Sequence, residues 1–189
     1  MNTTALRGLP RRRVVAAGLG AMALALPRTP SVSARVILLR GMSGGGMAQI
    51  DDEALPRLAN FGLFASAQQL PDGNSLVLGR FQWLEAGTDL QLQSIEVTQC
   101  VQLTNRSDGA EVRGRLQVNG AGDYPFIARS IDGGAPGSAL DRIEIEVNTA
   151  AAQEGFPDLT FEDDFEYSAA GNLVAGDIQW IMADIDLDA

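Results

Sequence analysis

The chain has 189 residues, with 24 acidic and 14 basic side chains, no histidine and a formal net charge of −10. Every basic residue is arginine, so histidine-dependent triads, histidine-bearing zinc sites and lysine Schiff-base chemistry are excluded. So acidic a surface repels phosphate backbones and anionic lipid, and no nucleic-acid partner is expected.

Residues 1–34 read as an export signal. Arg11-Arg12-Arg13 forms a cationic start, and Ala16 to Leu26 is an apolar core too short to stay in a bilayer. Pro27, Arg28 and Pro30 break that core, and Val32-Ser33-Ala34 offers a small-residue cleavage site. The Gly/Ala-rich core with a base after it points to the twin-arginine route, with the general secretory route as the alternative. The mature chain then starts near Arg35 and is expected in the periplasm or outside the cell. It keeps nine arginines against all 24 acids, a net charge of −15. Its length suits one domain, and no later apolar run is long enough to insert in a membrane.

Arg35 to Met42 reads as a short buried strand and Ser43-Gly44-Gly45-Gly46 as a flexible turn. No Lys-Ser/Thr follows these glycines, which excludes a phosphate loop. Asp51-Asp52-Glu53 and Pro56 mark a loop before a strand at Phe61 to Ala67. Pro71-Asp72-Gly73-Asn74 is a turn signal, and Leu76 to Leu84 then sets Val77, Gly79, Phe81 and Trp83 on one face. Leu90 to Leu103 holds Ile95, Val97, Val101 and Leu103 in register, as one long bent strand or two. Cys100 falls on the opposite parity, as a free thiol packed on the second face. It is the only cysteine, so no internal disulfide can form, and no histidine is there to activate it.

Ser107-Asp108-Gly109 turns the chain into Val112 to Val118, the cleanest alternation in the protein, which Asn119-Gly120 closes. Tyr124 to Val147 is the organising hairpin. Tyr124, Phe126 and Ala128 alternate before a turn containing Gly133, Pro136 and Gly137; Ile143, Ile145 and Val147 share a face after it. Asn148 to Asp158 reads as a loop, Gly171-Asn172 as a turn, and Leu173 to Met182 as a closing strand. Eight to ten short strands with short connections imply an all-β fold, an antiparallel β-sandwich or partly open barrel.

Two chemistries remain open to this composition. Calcium binds carboxylates and loop carbonyls, and Asp132 and Asp141 flank a glycine-rich turn, with Glu162-Asp163-Asp164 as a second cluster. The alternative for Asp132 is an Asx turn capping the amides at 133–134. A carboxylate pair could hydrolyse glycosides, drawn from Glu162, Asp163, Asp164 and Glu166 with Trp180 or Tyr167 as a sugar platform. The alternative is a solvated acidic face. Trp83 and Trp180 read as packing residues. Calcium is the candidate ion, and no other cofactor is expected.

Several segments come in a familiar order: GGGMAQI at 44–50, Gly79-Arg80-Phe81-Gln82-Trp83, Tyr124-Pro125-Phe126, Asp132-Gly133-Gly134-Ala135-Pro136-Gly137 with Asp141-Arg142-Ile143, and Gly176-Asp177-Ile178-Gln179. Together they cover most of the mature chain, which resembles a small exported bacterial β domain of the post-COAP, choice-of-anchor-associated type. Such domains occur singly or in tandem in secreted proteins. The chain departs from that pattern at Ala135, where a glutamate is usual, and in a longer, more acidic stretch from Ala150 to Glu166. The resemblance implies an exported all-β fold and brings no catalytic residues with it. The expected role is an exported, non-catalytic structural or binding module whose candidate partner is a cell-surface or extracellular polymer. A calcium-dependent adhesion component and an acid-pair polysaccharide hydrolase are the alternatives.

Overall fold

The structure, a computed structural model, describes residues 38–51, 56–70, 74–135, 140–159, 161 and 165–183. The signal segment, Pro71-Asp72-Gly73, Pro136, Gly137, the Glu162-Asp163-Asp164 cluster and the tail lie outside the described residues.

Eight strands follow one another: β1 Leu38–Ile50, β2 Arg57–Gln69, β3 Ser75–Glu85, β4 Gln91–Gln102, β5 Gly109–Val118, β6 Ala121–Ile131, β7 Arg142–Val147 and β8 Tyr167–Ala183. Each pairs antiparallel with the next, and β8 returns to pair with β1, so the sheet closes into a barrel. The all-β antiparallel expectation holds, and closure decides between sandwich and barrel.

Alternation along each strand sends apolar side chains inward. In β5 the buried Ala110, Val112, Gly114 and Leu116 alternate with Glu111, Arg113 and Arg115, and β7 repeats the pattern with Ile143, Ile145 and Val147. Tyr124, Phe126 and Ala128 of β6 point inward from the hairpin, whose register runs from Phe126–Val147 to Ile131–Arg142. Phe126 stacks on Phe81 at 5.4 Å between ring centres. Trp83, Met42, Leu92 and Leu116 complete a filled interior, as an eight-stranded barrel can achieve with side chains alone. Asn119 and Gly120 both have positive φ (53° and 78°), the two-residue turn whose twist matches a β5–β6 hairpin.

Four expectations are corrected. Ser43 to Gly46 is not a turn but the middle of β1, where small residues let β8 approach closely: a Cβ on Gly46 would lie 2.1 Å from the Ala175 carbonyl oxygen. Gly171-Asn172 is likewise inside β8, paired to Ile50 and Gln49 of β1. Ala150–Gln153 forms a short helix, α1, capped by the Thr149 hydroxyl and seated on β6, where it covers the outward-facing Ile127. In β4, register shifts at Ser94/Glu96 and Val97/Gln99 each change which parity faces in. Leu92, Val97 and Cys100 are therefore all buried, while Ile95 and Val101 are exposed. Cys100 belongs to the same core as Val97 and not to a second face.

The seam between β1 and β8 yields a stability prediction. A Cβ at Gly171 would lie 1.9 Å from the Gln49 carbonyl oxygen, whereas at Gly62 it would meet nothing within 4 Å. Gly171→Ala should lower unfolding free energy by about 1–3 kcal/mol, as overpacking does, and Gly62→Ala should stay within about 0.5 kcal/mol. Urea denaturation of the two variants beside the parent checks this.

Candidate functional site

Strand lengths set the first candidate site. β7 pairs with β8 only from Tyr167 to Asn172, so the rest of β8 has no strand neighbour on that side. The β6–β7 turn takes over. Asp141, fully buried, accepts hydrogen bonds from Ile178 N–H and Gly133 N–H, each at 2.8 Å, and its carbonyl accepts from Leu173 N–H at 2.9 Å. Asp132 accepts from Trp180 N–H at 3.0 Å through one oxygen and from Gly134 N–H at 2.9 Å through the other. Two carboxylates thus replace part of a ladder that β7 is too short to supply. The Asx turn at Asp132 is present, and each oxygen of both aspartates already accepts an amide. Among the described residues, no three of His, Cys, Asp and Glu converge as a metal ion requires.

The second site is an internal polar chain at the end of the barrel where β3 stops. Glu85 shares the inward parity of Phe81 and Trp83 and is almost fully buried. Its carboxylate accepts from the Tyr167 hydroxyl at 3.0 Å and pairs with the Arg57 guanidinium. The Tyr167 oxygen in turn accepts from Trp83 Nε1–H at 3.1 Å. Burial, then the neighbouring Glu85 charge and hydrogen bond, push the Tyr167 phenol well above its ordinary range. A proton this firmly held serves structure and is a poor acid. Tyr167, considered above as a sugar platform, therefore faces inward. Trp83 belongs to the core cluster, and Trp180 is half-buried at the margin of that cluster. Glu166 is exposed at the start of β8.

On the outer face of β5 to β7 the charges pair. Arg129 bonds Glu111 at 3.0 Å and Glu144 at 2.8 Å and also pairs with Glu146, while Arg113 takes the other oxygen of Glu111 at 2.7 Å. Partial burial raises the Glu111 and Glu146 carboxyls, but hydrogen bonds from arginine outweigh it, so both titrate below the ordinary range.

The third site is a cleft of about 540 Å³ at the opposite end of the barrel. β3 and β4 share only three ladder pairs, Gln82–Gln93 to Leu84–Gln91, because the Ser94 hydroxyl takes the next amide, Phe81 N–H, at 2.8 Å. Beyond it β4 leans over β2, packing Val97 against Gly79 and bringing Cys100 Sγ to 3.7 Å from the Ala65 carbonyl oxygen. The two strands end apart, and Arg40, Ala67, Ser75, Cys100 and Gln102 line the space between them.

Sequence reasoning passed over Glu85, Tyr167 as a core polar group, and Arg40. A signal existed for Glu85: it is the one carboxylate on the Phe81–Trp83 parity. None existed for Arg40, whose surroundings come from three other strands.

Two predictions follow from these contacts. Asp141→Ala would leave the Ile178 and Gly133 amides unpaired and should cost about 2–3 kcal/mol, the worth of hydrogen bonds to a charged group; thermal and urea unfolding would measure it, and a loss under 0.5 kcal/mol would contradict the anchoring role. Burial pushes the Cys100 thiol from 9.0 up to about 11, against a smaller opposing hydrogen bond from the Met42 backbone. The folded chain then holds a proton that the unfolded chain releases, so stability is full below pH 9 and falls as pH rises from 9 to 11. Cys100→Ala should flatten that fall in melting temperature.

Compared with protein-family models, curated proteins and solved structures, the chain matches none of them.

Proposed function

We propose that this chain is an exported, non-catalytic β-barrel module that works by binding or as a structural element outside the cytoplasm. The observation that carries this reading is how six of the described carboxylates are used. Asp132 and Asp141 hold β8, Glu85 holds the barrel end, and Glu111, Glu144 and Glu146 hold Arg129. A retaining or inverting glycosidase needs two carboxyl groups across one cleft. The barrel interior, where small eight-stranded barrels place a ligand, is occupied by Phe81, Trp83, Phe126 and Met42. Export rests on the signal-like residues 1–34, and the likeness to the post-COAP type supports the same location. No described helix is long and apolar enough to cross a membrane. An apolar interior and a charged outer face on β5 to β7 are the reverse of a membrane-spanning barrel, which supports a module that stays in water once exported.

The test is retention of the full chain on insoluble cell-envelope and extracellular polysaccharides, with and without chelator, followed by sizing of the polymer. We expect retention that chelator does not change and a polymer of unaltered length. Shortening of the polymer that Glu166→Gln abolishes would move the reading to a hydrolase, and retention lost in chelator would move it to a calcium-dependent one.

A further inference from the structure

The cleft between the ends of β3 and β4 combines three properties. It has room, at about 540 Å³, within the range of sites for small organic molecules. Among its described lining residues Arg40 is the only charged one. And that arginine is uncommitted. In a chain where acids outnumber bases 24 to 14, Arg57, Arg106, Arg113, Arg115, Arg129 and Arg142 each hold a carboxylate. Among the described residues Arg40 and the exposed Arg80 have no such partner, and the Arg40 Nε is buried without a hydrogen bond. A buried donor left unpaired costs free energy, and a planar guanidinium is matched best by a planar anion that takes two of its N–H groups.

The rest of the lining limits the class of anion. Gln69, Ser75, Gln102 and Thr104 present amide and hydroxyl groups, while Ala67 and Val101 supply a short apolar wall. That mixture suits a hydroxylated body and is too polar for an acyl chain. The protein's strong negative charge disfavours a polyanion and is a small penalty for a single charge.

We propose that this cleft binds a small hydroxylated organic acid of the sugar-acid class, its carboxylate on Arg40 and its hydroxyls on the amides and hydroxyls around it. The proposal rests on the reading of the chain as a binding module and names a ligand class for it.

The test is calorimetric titration of the full chain with glucuronate, glucose and inorganic phosphate. We expect saturable binding of glucuronate, at least tenfold weaker binding of phosphate, and none of glucose. Arg40→Gln should weaken glucuronate at least tenfold while leaving the melting temperature equal or higher, because it removes an unpaired donor. A purely structural arginine would lower it. Gln69→Glu, at an exposed position on the cleft, adds a competing carboxylate without touching the core and should weaken binding as much. Arg80→Gln, on the exposed outer face, should change nothing. Glucose binding as well as glucuronate, phosphate binding as tightly, or either cleft variant binding like the parent would overturn the proposal. Polymer retention that persists while glucuronate fails to bind would remove the cleft assignment and leave the binding module standing.

Discussion

Everything in this molecule depends on closing the sheet, and closure depends on how near β1 and β8 can come. At their midpoint two glycines face each other across the seam: a Cβ on Gly46 would lie 2.1 Å from the Ala175 oxygen, and one on Gly176 would lie 2.1 Å from the Gly45 oxygen. The register also slips once there, between Met47 and Ala48, which bends the pair. With these side chains absent, the first and last strands pair along their length on both sides of that slip, and no exposed sheet edge remains between them to recruit another chain. The cost of closure appears elsewhere. β8 is far longer than β7, and the part of it that outruns β7 is held on that side by Asp132 and Asp141.

The same economy governs charge. Arginines are scarce, and two of the described ones each hold more than one acid, Arg115 between Glu96 and Asp123 and Arg129 among three glutamates. This keeps acidic strands β5 to β7 from repelling one another across the sheet, since like charges directly opposite destabilise a pair. The outer face of β2 to β4 is built differently, with exposed Phe64, Leu78, Leu84 and Ile95 and few charges. The barrel thus has one ion-paired side and one apolar-speckled side, and the cleft at Arg40 opens at the end of the latter.

Much of the fold was legible residue by residue. Val112 to Val118 and Ile143 to Val147 alternate so regularly that strand, inward face and turn at Asn119-Gly120 could be read directly, and the structure places them as read. The glycines at 44–46 were misread because the same residue serves a turn by its φ freedom and a tight strand pair by its lack of a Cβ; only the partner tells which. Cys100 was misread because a bulge changes parity without any mark in the sequence. Asp132 and Asp141 were recognised as a pair of consequence, yet their partners Ile178 and Trp180 lie 37 and 48 residues away.

By itself, then, the sequence determined the chemistry that this chain can lack or possess: no histidine or lysine, one thiol, an acidic surface, and strands whose period of two gives an apolar face and whose short connections imply antiparallel pairing. Those are local properties, carried by composition and by neighbours two residues apart. Only the tertiary structure decided that the sheet closes, that Glu85 and Tyr167 meet inside it, that two aspartates finish a strand, and that Arg40 has no acid among the described residues. Each of these is a meeting between strands distant in the chain, and its outcome turns on register and bulges, which shift by single residues and leave the hydrophobic pattern almost unchanged.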